Sequence, residues 1–334
     1  MTSEPGTARQ QAQLRSTPAP APSHPLHQFA RLMGARASPF RNQPLDGYKR
    51  GIDFYSAADL PRVLATAAAQ FEKSHGRFPN LIQPQRYTDK IFWSKFFRQM
   101  KVPETGNKLL TASFIPDDLR ESIQVPEIVW HSTRARVPRG DEVEPGTYYL
   151  KANLGSDRYA RVTYPITDAE ADALDSEFEA HLTRDYNWWR GEWWYHVFQR
   201  ELLLERAIGA AEHSTSWNFL VIGGEIARIA VYQKLEGGTV RKTHLTPQFE
   251  PLPGDEASQA IYRLPSAQAL ERMCIAARGI GGPLRFVRVD FLLDEEERPY
   301  LGEVTFTPGN AVARLPEEMD MELGALWNLR SEPV

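Results

Sequence analysis

The stretch RFVRVDFLLDEEERPYLGEVTFTPGN, Arg285 to Asn310, limits what this chain can fold into more than any other segment. An apolar run, an acidic centre and a second β-rich run predict a β-hairpin. With the turn centred between Glu296 and Glu297, Asp290 stands opposite Glu303 and Arg288 opposite Thr305. The period of two sends Val287, Val289 and Phe291 to the other face, with Val304 and Phe306. One face is apolar; the other carries two carboxylates, an arginine and a threonine. Opposed side chains sit ~5 Å apart at Cβ, where like charges repel. A divalent cation between the carboxylates removes that repulsion, because hard cations take oxygen ligands. A solvent-facing polar side is the alternative.

The rest of the chain reads as mixed helices and strands. SAADLPRVLATAAAQFEKSHG offers a capping box at Ser56 and Asp59 before an alanine-rich helix. YTDKIFWSKFFRQM predicts a helix with Thr88 as N-cap. VPEIVW and TYYLKANLGS read as strands, and YARVTYPI returns as a hairpin partner. Thr167 and Glu170 cap a helix with Leu174, Phe178 and Leu182 on its apolar side. LLLERAIG, WNFLVIGGEIARIAVY, a helix around Cys274 and the opening hairpin follow, before a last helix in PEEMDMELGALWNL. Helices mixed with β-hairpins point to an α+β fold rather than a doubly wound parallel sheet. At 334 residues the chain has room for two domains or one elaborated domain.

A formal charge of -4 gives no electrostatic footprint for nucleic acid. No run of 18 apolar residues predicts a membrane span. Residues 1–45, rich in Pro, Ala, Gln and Ser, lack the apolar core of a signal peptide and read as a disordered leader, or a docking arm for biosynthetic partners. The single cysteine, Cys274, excludes an intramolecular disulfide and fits a reducing, cytoplasmic setting. Its helical spacing with Leu270, Met273 and Ala277 predicts a packed core thiol.

Four further features could carry chemistry. Lys151, at a strand end before ANLGSDRY, can reach phosphate oxygens as a point charge, with loop N–H groups adding donors; it could equally be a lysine reaching for solvent. Lys108 could be one charge on a solvated helix face. Glu205 ends an apolar strand whose backbone could meet an adenine edge, or it belongs to an exposed ion pair on an edge strand. RDYNWWRGEWWYHVFQRE could form a stacking platform for sugars or bases, or a core wedge with His196 as a packing residue.

In chain order these features resemble a family. From about Phe78 to Leu329, the blocks QRYTDKIFWSKFF, VPEIVWHS, YYLKANLGS, WWRGEWWYHVFQRELLLER, FVRVDF, YLGEVTFTPGN and PEEMDMELGALWNL resemble the teichuronopeptide-biosynthesis, TupA-like branch of the ATP-grasp superfamily. That resemblance implies two α+β lobes holding ATP and Mg²⁺ between them, phosphorylation of a carboxylate, and attack of an amine on the acyl phosphate. It implies that Lys108 and Lys151 contact ATP phosphates with Gly155 and Ser156 of the loop after Lys151, and that Glu205, Arg206 and Ile208 belong to the segment lining adenine. Asp290 and Glu303 would hold Mg²⁺, with Thr305 where relatives place an asparagine ligand; Arg288 would face the transferring phosphoryl group, and Thr307 to Gly309 would sit beside the acceptor. The chain departs from the pattern in a loop with only Gly155 beside Asp157 and Arg158, and in Ser216 and Asn218 where relatives carry an acid and a lysine.

The implied division is a leader over 1–45, an N-terminal lobe over 46–145, a small lobe with the phosphate loop over 146–210 and a C-terminal lobe with the metal hairpin over 211–334. The expected activity is carboxylate–amine ligation in modification of a cell-surface polysaccharide or peptide. A phosphotransferase, and a non-catalytic saccharide-binding protein, are the alternatives.

Overall fold

A computed structural model describes residues 46–155, 159–183, 186–209, 215–234, 240–252 and 263–331. The expected leader, 1–45, lies outside them, as do Ser156, Asp157 and Arg158. The chain forms two units, one from Met1–Pro103, Asp185–Phe198 and Thr307–Val334, the other from Glu104–Arg184 and Gln199–Phe306.

In the first unit, strands β1 (Gly47–Lys49) and β2 (Met100–Val102) pair antiparallel beside helices α1 (Gly51–Phe54), α2 (Asp59–His75), α3 (Tyr87–Phe97) and, near the C-terminus, α6 (Glu317–Leu326). The capping box of α2 forms: Ser56 Oγ accepts from the Asp59 N–H at 3.0 Å. Leu60, Val63, Leu64, Ala67 and Phe71, at helical spacing, are buried. Thr88 is not the N-cap of α3, which Arg86 precedes without a side-chain cap bond. Instead Asp320 of α6 accepts from the Thr88 N–H at 2.8 Å and from its hydroxyl at 2.9 Å. A carboxylate from another helix thus does the capping, which local sequence cannot show. In the opposite sense Lys90 of α3 donates to the carbonyls of Gly324 and Trp327 at the end of α6, at 2.7 and 2.5 Å.

The tryptophan-rich segment is core. Trp188, Trp193 and Trp194 are at most 2% exposed, so those rings offer no stacking platform. Trp188 lies edge-on to Tyr55 at 4.9 Å, and Trp193 Nε1 donates to the Lys95 carbonyl at 3.0 Å. His196 bonds the Tyr186 carbonyl at 2.8 Å, as a packing residue does.

The second unit contains two sheets whose named strands all pair antiparallel. The first takes β3 (Ile128–Ser132), β4 (Gly146–Ala152), β5 (Tyr159–Tyr164) and β6 (Leu202–Arg206) in the order β3-β6-β4-β5. Helix α4 (Asp168–Thr183) packs on it through Leu174, Phe178 and Leu182, which join Tyr148, Leu150 and Leu204 in one cluster. Its expected cap is present: Glu170 accepts from the Thr167 N–H and hydroxyl, both at 2.8 Å.

The second sheet takes β7 (Thr215–Ile222), β8 (Glu225–Lys234), β9 (Val240–Leu245), β10 (Phe286–Leu293) and β11 (Pro299–Thr305) in the order β11-β10-β7-β8-β9. Helix α5 (Ala267–Leu284) covers the face of Val287 and Val289. Gly281 permits the approach, since a Cβ there would lie 2.6 Å from Val221. Ser266 caps α5 by accepting from the Ala269 N–H at 3.3 Å. Cys274 on this helix is half-buried rather than fully packed, and burial raises its thiol pKa. Among the described residues no helix is long and apolar enough to cross a membrane.

Candidate active site

The β10–β11 hairpin has the expected register at its centre, with Arg288 opposite Thr305 and Asp290 opposite Glu303. Between Asp290 and Phe291 the pairing shifts, leaving Gly302 as an extra residue, so Phe291 meets Leu301. Such a bulge increases local twist and re-aims neighbouring side chains. Past it, the turn is held by the Asp294 carboxylate, which accepts from the Glu296 and Arg298 N–H groups at 3.1 and 2.8 Å.

On the polar face Arg288 Nε donates to Asp290 Oδ1 at 2.7 Å, and Nη2 to Oδ2 at 2.5 Å and to the Thr305 hydroxyl at 3.2 Å. Burial pushes the Asp290 carboxyl up to about 6, against the pull of Arg288 and with a further push from Glu303. Burial alone would lower the Arg288 pKa, but the Asp290 charge and hydrogen bonds outweigh it and raise the value. Glu303 accepts no hydrogen bond from a described residue. Asp290 also stands opposite Asn218 of β7, which accepts from the Ser216 hydroxyl at 2.6 Å.

Asp290, Glu303 and Thr305 fit a hard divalent cation. Their donors are all oxygens on one face, and a carboxylate that accepts a bidentate arginine keeps lone pairs for a metal. Among the described residues no group of three or more acidic, His or Cys side chains is placed to hold a metal, so a cation here would need phosphate or water oxygens to complete its shell.

Lys151 on β4 pairs with Glu205 on β6 and lies 5.6 Å from the centre of the Tyr149 ring. β6 is an interior strand and the Glu205 side chain is 10% exposed, so this is not a surface ion pair. Arg206 points to the other face, donating to Glu127 at 2.7 Å and stacking over Tyr148. The N–H groups of Arg206 and Ala207 are bonded to Glu127 and Thr147 carbonyls, so an adenine edge would meet the chain at Ile208. Ile208 and Gly209 line a cavity of about 290 Å³ in which Trp217 and Leu292 face a charged rim of Arg263, Asp294, Glu295 and Glu297.

Lys108 is not on a solvated helix face. Its Nζ donates to the carbonyl of Gly155, a left-handed residue with φ +77°, and its N–H donates to the Asn153 carbonyl at 2.9 Å. Asn153, unremarked in the sequence, anchors this loop. It is fully buried, its Nδ2 donates to the Gln199 carbonyl at 2.9 Å and its Oδ1 accepts from the Glu201 N–H at 3.1 Å. A signal was present in ANLG, a polar residue between apolar neighbours just before a glycine.

The second unit therefore gathers the expected residues into three groups: Arg288 with Asp290, Thr305 and Glu303; Lys151 with Glu205; Lys108 with Gly155. Residues 181–328 match the family model of the TupA-like ATP-grasp proteins. The match takes in the blocks WWRGEWWYHVFQRELLLER, FVRVDF and YLGEVTFTPGN of the resemblance. No curated protein matches the chain. Among solved structures it is similar to the L-amino acid ligase from Bacillus licheniformis, with 16% identity over 85% of this chain and 55% of that one, at a TM-score of 0.43. The D-Ala:D-Ser ligase VanG from Enterococcus faecalis gives 16% identity over 66% and 59%, at 0.41. The D-alanine–D-alanine ligase from Helicobacter pylori gives 14% over 68% and 60%, at 0.40. The matches thus span little more than half the length of these ligases.

Proposed function

We propose that this chain is a Mg-ATP-dependent ligase that joins a carboxylate to an amine through an acyl phosphate. The observation that supports it most is the apposition of Asp290 and Glu303, with the Arg288 fork fixed on the same face. Magnesium, held by Asp290 and Glu303 beside Thr305, would neutralise charge on the ATP phosphates. Arg288 presents a planar, permanently charged donor set, and its two bonds to Asp290 fix the orientation in which it stabilises the equatorial phosphoryl oxygens. Lys108 and Lys151 serve as point charges for phosphate, with Gly155 and Ser156 in the chain segment that follows Lys151, and Glu205 orienting Lys151. Ile208 meets the adenine, while Arg206 braces the strand from the opposite face.

The substrates we propose are a uronic acid or peptide carboxylate and an amine, in modification of a cell-surface polysaccharide or its precursor. ADP release, screened against uronic acids, amino acids and short peptides with Mg-ATP, tests the reading. A ligase releases ADP only when a carboxylate is present and forms amide only when an amine is added. ADP release that needs a carboxylate or hydroxyl acceptor and never yields amide would make it a phosphotransferase.

A further inference from the structure

The first unit contains a buried carboxylate that the nucleotide chemistry above does not use. Glu192 is 6% exposed; its Oε1 accepts from the Thr307 hydroxyl at 3.1 Å and its Oε2 from Asn187 Nδ2. The preceding residue, Gly191, has φ +84° and sits so close to the Phe96 ring that a Cβ there would lie 2.8 Å from the nearest carbon. Thr307 is itself buried and spends its hydroxyl on Glu192.

Thr307 opens a loop with an uncommon backbone. Gly309, Asn310 and Ala311 have φ of +63°, +51° and +62°, and two of these three successive left-handed residues carry a Cβ. Such a run persists only where its surroundings hold it, and held strain gathers at functional sites. Its backbone bonds are the Asn310 N–H to the Thr307 carbonyl at 2.8 Å and the Val312 and Ala313 N–H groups to the Gly309 carbonyl at 2.9 and 3.3 Å. His75 Nε2 bonds the Ala311 carbonyl at 2.8 Å from outside. Asn310 Oδ1 is buried with no hydrogen-bond partner among the described residues, so a ligand N–H would satisfy it.

We propose that Glu192 is a positioning residue: its bond to Thr307 holds the Thr307–Ala311 loop in its left-handed conformation, and the loop in that conformation binds the acceptor. The inference rests on the ligase reading and on the family resemblance, which implies that Thr307 to Gly309 lie beside the acceptor. Neither Glu192 nor Thr307 contributes to nucleotide binding in this account, so acceptor and ATP parameters separate.

The test pairs two measurements on the full chain. Hydrogen exchange of the Asn310 and Val312 amides reports the loop without reference to activity; Glu192→Leu, which removes the acceptor, and Thr307→Val should each speed it at least tenfold, with α2 amides unchanged and Thr307→Ser restoring protection. With the panel acceptor that gives the most ADP in the wild type, both variants should raise its KM at least tenfold while the ATP KM stays within twofold. The double variant should be no worse than either single one, because Glu192 acts through Thr307. Unchanged exchange overturns the anchoring role. Faster exchange with an unaltered acceptor KM overturns the link to the acceptor. A wild type that no acceptor stimulates removes the ligase reading, and the acceptor role with it, whatever the exchange shows.

Discussion

Arg288 grips both carboxylate oxygens of Asp290 from two residues away on the same strand, at 2.7 Å from Nε and 2.5 Å from Nη2. Side chains two apart share a sheet face, so the strand itself builds this fork-on-carboxylate geometry. The arginine is thereby held beside the Asp290–Glu303 pair.

Arg288→Lys keeps a positive charge but loses the planar fork. Removing one preorganised donor costs about 10² in kcat. We expect kcat to fall by about that factor while Mg-ATP affinity stays within a few fold. Single-turnover ADP formation set against equilibrium ATP binding checks it; equal losses in both would make Arg288 a nucleotide-binding or structural residue.

Lys151 and Glu205 make a different prediction. Their side chains are 21% and 10% exposed, so removing one partner strands a largely buried charge. Lys151→Met should destabilise the fold by about 2–3 kcal/mol, and Lys151→Met with Glu205→Gln should recover most of it. Denaturant unfolding measures the stability, and ATP titration of the double variant isolates the lost phosphate contact, worth about 1.5–3 kcal/mol. A stable single variant would mean that the pair contributes nothing to the fold.

Lys95 gives a dependence on pH. It is 2% exposed, donates to the Arg190 carbonyl at 3.0 Å, and burial lowers its pKa to about 7, with Glu192 opposing and Arg190 assisting. The unfolded chain keeps the Lys95 proton up to the ordinary lysine range, so between these values it binds more protons than the fold does. Stability from this group therefore rises with pH above 7, by about 2 kcal/mol between pH 7 and 9. Burial raises the Glu192 pKa, so in the acidic range above the ordinary glutamate value that residue contributes the opposite slope. Comparing urea unfolding of wild type and Lys95→Met at both pH values isolates the lysine; parallel curves would show that Lys95 titrates normally.

The hairpin was legible because register and period are local properties. Four polar positions on one face and five apolar ones on the other fix the pairing of Asp290 with Glu303 without a structure. The Gly302 bulge was not legible, since a glycine in a strand carries no instruction about which pair of residues it interrupts. Thr88 misled for a related reason: the helix is capped from Asp320, 232 residues away. Lys108 and Glu205 looked like surface charges in isolation, because the partners that bury them, Gly155 and Lys151, come from other elements. Asn153 and Glu192 are single polar letters whose importance is tertiary. Each is identified by the hydrogen bonds it makes, to Gln199 and Glu201 in one case and to Thr307 in the other.

A cation held between Asp290 and Glu303 is central to the proposed chemistry, and its most direct measurement is calorimetric titration of ATP into the full chain, with Mg²⁺ and with excess chelator. Glu303→Gln is the companion variant, because Glu303 makes no hydrogen bond to Arg288 and its removal leaves the Arg288–Asp290 pair in place. Opposed carboxylates repel nucleotide phosphates unless a metal bridges them. The predicted result is wild-type affinity at least tenfold weaker in chelator, with that Mg²⁺ dependence largely lost in Glu303→Gln. Equal affinity with and without Mg²⁺ in the wild type would contradict the assignment of Asp290 and Glu303 as metal ligands.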